Sequence, residues 1–484
     1  MHVFRGTDIA AKILNDAKRI LVYYDPDVDG IFSGYFVTDV LSAYNVPNIY
    51  YINENREHGF RMNLKYLEKL QGYTIVAVDF SIEDDIFKAI VDSGISIVNI
   101  DHHDISHEEL FYYENAELGS RGVVINNQYC FEPAEWRFLS GAGVVHSVFS
   151  AFMPEYFNTK KHRALVGLTL LSDVRETESD LAIEYLKDTY SWRDEYSDYL
   201  IANTVDERKM SFGAQVHLDR NYVDFTFSPK INAMFRFNLG DAAVEFVKGN
   251  LPEGLNLSAL REQQKDISND IVNNAECNIY SALTVATVAY DPTVNLSNFV
   301  GLACSRLLSD TEKTTITMLC DGTKVIRGSV RGRSDNINYL EIFRRYGVPC
   351  AGHKNAFGVK PCDLATIDFE KINGEIALAE ATDKATYTIT PIGNLGLAIA
   401  ESKKARKIAE YNSYARNNHR IYWDCSRCCS KMISHNGKGT FVKYLIDGVE
   451  ARCFDINITP DTNGVILPLM EKGYIVLYLR RAGV

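Results

Sequence analysis

Between residues 19 and 100 the chain alternates short, almost wholly apolar runs with longer stretches in which apolar residues recur at helical spacing. "RILVYY" (19–24), "YTIVAVDF" (73–80) and "ISIVNI" (95–100) are too short for buried helices, and too uniformly apolar for strands with one wet face. Such runs are strands covered on both sides, as in a parallel sheet. "IFSGYFVTDVLSAY" after the first strand reads as a helix, and so does "GAGVVHSVFSAFM" at 141–153. Alternation of this kind predicts a parallel α/β sheet within the first 175 residues.

Further on, "LPEGLNLSALREQQKDISNDIVNNA" (251–275) is polar with apolar residues at helical spacing, which predicts a connecting helix. "SALTVATVAYD" and "TTITMLC" then read as strands, while "VIRGSVRGRS" carries arginines and glycines that a plain strand does not need. The last hundred residues hold short β-type runs, "TFVKYLIDGV" and "VILPLMEKGYIVLYLR", with "IAESKKARKIAEY" as a helix before them. The expected organisation is a first domain over 1–250, a connecting helix over 251–278, an α/β domain over 279–384 and a β-rich domain over 385–484. An OB-like barrel is the expectation for the last of these.

Composition changes this picture little. At 484 residues the chain is too long for one ordinary core. With 46% hydrophobic and 24% charged residues it reads as globular rather than disordered. No apolar run reaches membrane-spanning length, and "MHVFRGTDIAAKILNDAKRI" is not a secretory signal, so a cytoplasmic protein with no membrane partner is expected. Ten cysteines, mostly single, read as reduced thiols. A net charge of -12 excludes a protein that coats nucleic acid through a general basic surface, but not one with a local basic groove.

The candidate chemistry lies where the strands stop. Asp25, Asp27 and Asp29 in "DPDVDG", Asp79 in "DFS" and the "DHHD" of 101–104 each follow an apolar run, as does Asp173 in "LTLLSDV". In open parallel sheets ligands collect beyond the carboxyl ends of the strands, so these loops can share one crevice. Read alone, "DPDVDG" is equally a solvated turn, and a lone histidine on an apolar strand is commonly a core residue. Together the acids and the paired histidines point to divalent cations, and carboxylate-rich sets suit manganese or magnesium better than zinc. Two such ions about 3.5–4 Å apart can hold both oxygens of an in-line phosphoryl displacement and activate a bridging water.

The motifs in order, D-x-D, an isolated Asp, Asp-His-His and a later Asp, resemble those of the DHH-superfamily phosphoesterases. More narrowly the chain resembles RecJ-type single-strand exonucleases. The narrower likeness rests on "INNQY" with "LSGAGVVHSVF", on "KINAMFRFNLGDA", on "FVGLACSRLL" with "GSVRGRS", and on "CAGHKNAFG"; it runs from about residue 19 to about 360 and is not seen beyond about 385. It implies a parallel-sheet DHH domain, a connecting helix, an α/β DHH-associated domain and a β-rich C-terminal domain. Asp27, Asp29, Asp79, His102 and Asp173 would hold two manganese ions, or magnesium, with Asp79 as the bridge. Asp101 would orient the site and His103 would contact the scissile phosphate or assist proton transfer. Arg236, Ser329 and Arg331 would bind a terminal phosphate, His353 would face the metals, and Gly328 and Gly352 would let substrate approach the backbone.

This sequence departs from that pattern twice. Tyr23 stands where many members have histidine, so that either Asp25 takes up the missing ligand's place or the first ion is held more weakly. In "CAGHKNAFG", Ala351 and Phe357 replace a glycine and an alanine. "NREHGF" (55–60) reads as a substrate-side loop or an exposed turn, and "CSRCC" (Cys425, Cys428, Cys429) with Cys453 offers thiols for zinc without a clean second pair. The implied function is a 5′-to-3′ exonuclease on single-stranded DNA, with a single-strand-binding or replication protein as a further partner. The alternatives are a phosphodiesterase for short RNA, nucleoside bisphosphates or cyclic dinucleotides, and a catalytically silent protein that binds nucleic acid or a replication partner.

Overall fold

The computed structural model describes residues 2–43, 46, 49–53, 68–105, 107–173, 175, 179–205, 216, 218–334, 336–383, 388–391, 393–414, 421–424, 429–435, 442–453, 464–471 and 474–481. Three sheets organise them.

The first sheet contains β1 (Ile20–Tyr24), β2 (Ile49–Asn53), β3 (Thr74–Val78), β4 (Ser96–Asp101), β5 (Tyr112–Asn115) and β6 (Ser120–Asn126), in the order β2-β1-β3-β4-β6-β5. All neighbours are parallel except β5 and β6. Both faces are covered, which is why the strands read as unbroken apolar runs. Ile20, Val22 and Tyr24 of β1 join one core with the helices Val28–Ala43 and Gly141–Phe152. Leu21 and Tyr23 join the opposite core with Phe87, Ile90 and Val91 of the helix Asp84–Asp92. The helix Val28–Ala43 is buried nearly all round, so its composition carries little amphipathic signal. Because β2 lies on one side of β1 and β3 on the other, the strand order reverses between β1 and β3, and a crevice opens there beyond their carboxyl ends.

After the helix Leu257–Asn273 comes a sheet of β7 (Glu276–Ile279), β8 (Leu283–Ala289), β9 (Thr314–Asp321), β10 (Lys324–Arg331), β11 (Cys350–His353) and β12 (Ala356–Val359), with β13 (Cys362–Asp363) beside β10. The sheet therefore starts slightly before the boundary expected at 278. β8 and β9 are parallel, and the helix Val300–Thr311 lies between them in the chain. "VIRGSV" is a strand after all. β10 pairs with β9 and β12, and Val325, Gly328, Ser329 and Val330 are buried, so the loop begins only at Gly332.

The third sheet comprises β14 (Thr388–Pro391), β15 (Ile421–Asp424), β16 (Cys429–His435), β17 (Val442–Ile446), β18 (Val449–Cys453), β19 (Gly464–Glu471) and β20 (Tyr474–Arg481), ordered β14-β15-β19-β20-β18-β17-β16. Leu395 and Ala405, from two helices on one face, share its core with Trp423 and Ile466. Seven strands with two parallel pairs differ from the five-stranded OB barrel expected there. Among the described residues no helix is long and apolar enough to cross a membrane.

One close contact fixes the helix that carries Asp173. A Cβ at Gly167 would lie 2.1 Å from Thr189 Oγ1 and 2.6 Å from the Tyr185 carbonyl oxygen, so the helices Lys160–Ser172 and Asp180–Ser191 approach each other only through glycine. Gly167→Ala is expected to destabilise the protein by about 1–3 kcal/mol, read as a lower thermal midpoint. An unchanged midpoint would contradict this packing.

Candidate metal centre

β1 stops at Asp25 because the chain must turn at once into a helix. Asp27 caps that helix, its Oδ1 accepting from the Gly30 amide at 2.9 Å. Gly30 is required here, since a Cβ would sit 2.1 Å from the Asp25 carbonyl oxygen. Asp29, in the first helical turn, is 2% exposed. Its carboxylate accepts from Gly141 N at 2.6 Å and Ala142 N at 3.0 Å, the amino end of the helix Gly141–Phe152, where free amides and the helix dipole favour an anion. Gly141 has a second role: a Cβ there would fall 2.4 Å from Asp79 Oδ1. The glycine thus lets two acids from different strand ends meet.

Asp79 follows β3 with φ 66°, a left-handed conformation that a non-glycine residue adopts at a cost. It brings the carboxylate toward His102, whose Nε2 lies 3.1 Å from Asp79 Oδ1 and 3.8 Å from Asp29 Oδ2. His102 Nδ1 is 3.7 Å from Asp173 Oδ2, and Asp173 terminates the helix Lys160–Ser172. The sets Asp25–Asp27–Asp79, Asp29–His102–Asp173 and Asp79–Asp101–His102–His103 each gather their donor atoms within 4.8 Å. Residues from separated segments of the chain therefore share one pocket.

The electrostatics of the pocket are unfavourable as the chain alone presents them. Burial and then Asp27 raise Asp29 to about 6. Burial and then Asp29 raise Asp173 to about 8, against the pull of Arg175. Asp79 is pushed well above the carboxylate range by burial and by Asp29, Asp27, Asp25 and Asp173. His102 is pushed well below its usual value by burial and by the charges of His103 and Arg175, so it stays neutral and able to ligate. Asp79 Oδ1 and His102 Nδ1 are shut off from water, with no hydrogen-bond partner among the described residues. Repelling acids, a neutral imidazole and buried orphan atoms fit divalent cations, and the oxygen-rich donor set fits manganese or magnesium.

Around this pocket lies a second layer. Burial alone would raise Asp101, but His103, His102 and the Ser81 hydroxyl overcome it and hold the carboxyl well below its usual value. Asp101 accepts from Ser81 at 2.7 Å and pairs with His103 Nδ1 at 2.7 Å. For His103, burial is outweighed by Asp101, and its value rises to about 10. His353, at the end of β11, stacks on His103 with ring centroids 5.4 Å apart and planes 18° apart, so the second domain reaches the first at this point.

Arg236, Ser329 and Arg331 gather near the amino end of the helix Val300–Thr311. Arg236 Nη1 donates to the Asn298 carbonyl at 2.5 Å, Arg331 Nη1 donates to Ser329 Oγ at 2.7 Å, and a Cβ at Gly301 would meet Arg331 Nη2 at 2.8 Å. Gly328 and Gly352 serve the sheet itself. A Cβ at Gly328 would press on Met318 and Val359 at 3.0 Å, and Gly352, at φ 138°, would press on Phe357 at 2.8 Å. Tyr23 packs edge-on against Phe80 at 5.2 Å in the core opposite the helix Val28–Ala43. "NREHGF" and Cys425–Cys428 lie outside the described residues, as does the side chain of Cys429; Cys453 is buried. The sequence reading did not single out Ser81, the Gly141 and Ala142 amides or Arg175. "DFS" and "LSGAGVV" were visible as motifs, but backbone amides and a single arginine leave no spacing signal.

Residues 19–171 match the family model described as the DHH family, N-terminal domain. The single-stranded-DNA-specific exonuclease RecJ of Bacillus subtilis (strain 168) is 22% identical over 363 residues, which is 70% of this chain and 42% of that protein. The chain thus spans less than half the length of the curated relative it matches. RecJ from Thermus thermophilus in complex with Mn2+ has a TM-score of 0.64 at 16% identity, covering 99% of this chain and 71% of that one. The same protein in complex with Mg2+ gives 0.63 at 16% identity, covering 99% and 70%. The likeness is one of fold, and it extends over the C-terminal sheet, where the sequence alone carried no match.

Because the folded pKa values of Asp29 and Asp173 lie above those of an unfolded chain, the folded metal-free protein binds more protons. Its stability is therefore expected to fall as pH rises from about 5 to about 9, and its metal affinity to rise over the same range with release of protons. Asp79→Asn removes the most repelled charge and keeps a side chain that tolerates φ 66°. It is expected to raise the metal-free thermal midpoint while abolishing the further rise that Mn2+ gives the wild type. A variant destabilised without metal, or still stabilised by Mn2+, would contradict the site.

Proposed function

We propose that this chain, with its DHH-family amino-terminal domain and RecJ-like fold, is a manganese- or magnesium-dependent phosphodiesterase that removes nucleotides from the 5′ end of single-stranded DNA. The observation that carries this reading is the convergence of Asp27, Asp29, Asp79, His102 and Asp173 on one buried pocket at the reversal of strand order. The name of the Bacillus relative, a single-stranded-DNA-specific exonuclease, supports the choice of substrate and of nuclease over other phosphoesterases.

Bound at the acids, two divalent ions would polarise the scissile phosphate and lower the pKa of an attacking water. The remaining work falls to the side chains. Asp29 is held in place by the Gly141 and Ala142 amides, and Asp79 reaches both halves of the donor set. His103, protonated near neutral pH, has Nδ1 committed to Asp101, which leaves Nε2–H to donate to a phosphate oxygen or to the departing oxygen. Arg236 and Arg331 would take the 5′-terminal phosphate, where a guanidinium fork suits the oxygens. Arg331 lies in the domain that brings His353 to His103 and Arg236 in the first, so a strand held by both would bridge the two domains.

The test is hydrolysis of 5′-phosphorylated single-stranded DNA, short RNA oligomers and cyclic dinucleotides with Mn2+, beside Asp79→Asn. The expected result is stepwise release of mononucleotides from the 5′ end of DNA, lost by at least about 10³-fold in the variant. Preferred cleavage of RNA or cyclic dinucleotides would replace the substrate assignment. Intact metal binding without turnover on any substrate would favour a nucleic-acid-binding protein.

A further inference from the structure

Six carboxylates face this pocket; apart from Asp101, which His103 pairs, they are Asp25, Asp27, Asp29, Asp79 and Asp173. Against two divalent ions these five leave an excess of one negative charge, before a phosphodiester brings another. His103 is already paired with Asp101, so its charge is largely spent inside the protein. A substrate anion needs a further fixed cation near the acids.

Arg175 has the right place and the right restraint. Its Nη2 donates to the Arg137 carbonyl at 2.9 Å and its Nε to the Phe138 carbonyl at 3.3 Å, while Nε lies 3.8 Å from Asp173 Oδ2. These bonds pin one edge of the guanidinium to the turn that leads into Gly141 and Ala142, whose amides hold Asp29. The side chain remains 24% exposed, and among the described residues Nη1 takes no hydrogen-bond partner.

We propose that Arg175 is a substrate-binding cation of the metal pocket, whose Nη1 edge takes a non-bridging oxygen of the phosphate at the metals. A pinned guanidinium is suited to this role, because its donors are already aimed and lose little freedom when an oxyanion arrives. Its bonds to the two carbonyls hold it at 3.8 Å from Asp173 Oδ2, outside hydrogen-bonding distance of that acid.

The inference rests on the phosphodiesterase reading, and the test separates the two. Arg175→Ala, Arg175→Lys and the wild type are compared in metal affinity, in calorimetric binding of inorganic phosphate to the Mg2+-loaded protein, and in cleavage of 5′-phosphorylated single-stranded DNA. The expected result is metal affinity within about threefold of wild type, phosphate affinity and kcat/KM lowered by about 10²-fold or more in Arg175→Ala, and partial recovery of cleavage on adding guanidinium ion. Arg175→Lys should recover less than the full rate, because an ammonium lacks the fork. If the wild type cleaves no strand yet loses phosphate binding on Arg175→Ala, the function fails and Arg175 keeps its role. If Arg175→Ala binds phosphate and cleaves like wild type, or loses activity only in proportion to lost metal, the proposal is overturned.

Discussion

The constraint on which this structure depends is the mutual repulsion of buried carboxylates. Asp29 and Asp79 are each 2% exposed, and Asp25, Asp27 and Asp173 crowd the same space. Nothing in the packing of an α/β sheet calls for that arrangement, and burying like charges costs free energy unless a cation balances them. The chain gives up other local stability to achieve it: a left-handed aspartate at 79, a glycine at 141 that admits it, and a glycine at 30 that lets a helix start against the end of β1. Departures from local preference that cluster at one point mark a functional site.

Topology explains why the acids meet. Reversal of strand order between β1 and β3 opens the crevice, and the parallel direction of β1, β3 and β4 delivers Asp25, Asp79 and Asp101 to the same edge. Two helices complete it from above, one offering its amino end to Asp29 and the other presenting Asp173 at its last turn. The second domain adds His353 through its stack on His103.

Much of this was legible in the sequence for a physical reason. Strands buried on both faces are written as runs of Val and Ile, so "YTIVAVDF" and "ISIVNI" announced both the sheet and the acids at its edge. Less legible were features set by contacts distant in sequence. The strand character of Ser329 and Arg331 was hidden by neighbouring arginines and glycines, because Gly328 answers to Met318 and Val359 across the sheet rather than to its own segment. Arg175 is held by the carbonyls of Arg137 and Phe138, residues far from it in the chain, so no local spacing marked its place. The seven-stranded C-terminal sheet could not be told from a small barrel, since its parallel pairings join strands far apart in the chain.

If the acids gathered from separate segments hold paired cations in one pocket, the anomalous scattering of manganese in crystals of this protein will show it. Two peaks about 3.5–4 Å apart, each about 2.1 Å from oxygens of Asp27, Asp29, Asp79 or Asp173, and one beside a nitrogen of His102, are the predicted result. Manganese bound elsewhere on the chain, or a pocket that stays free of metal at saturating concentration, would contradict it.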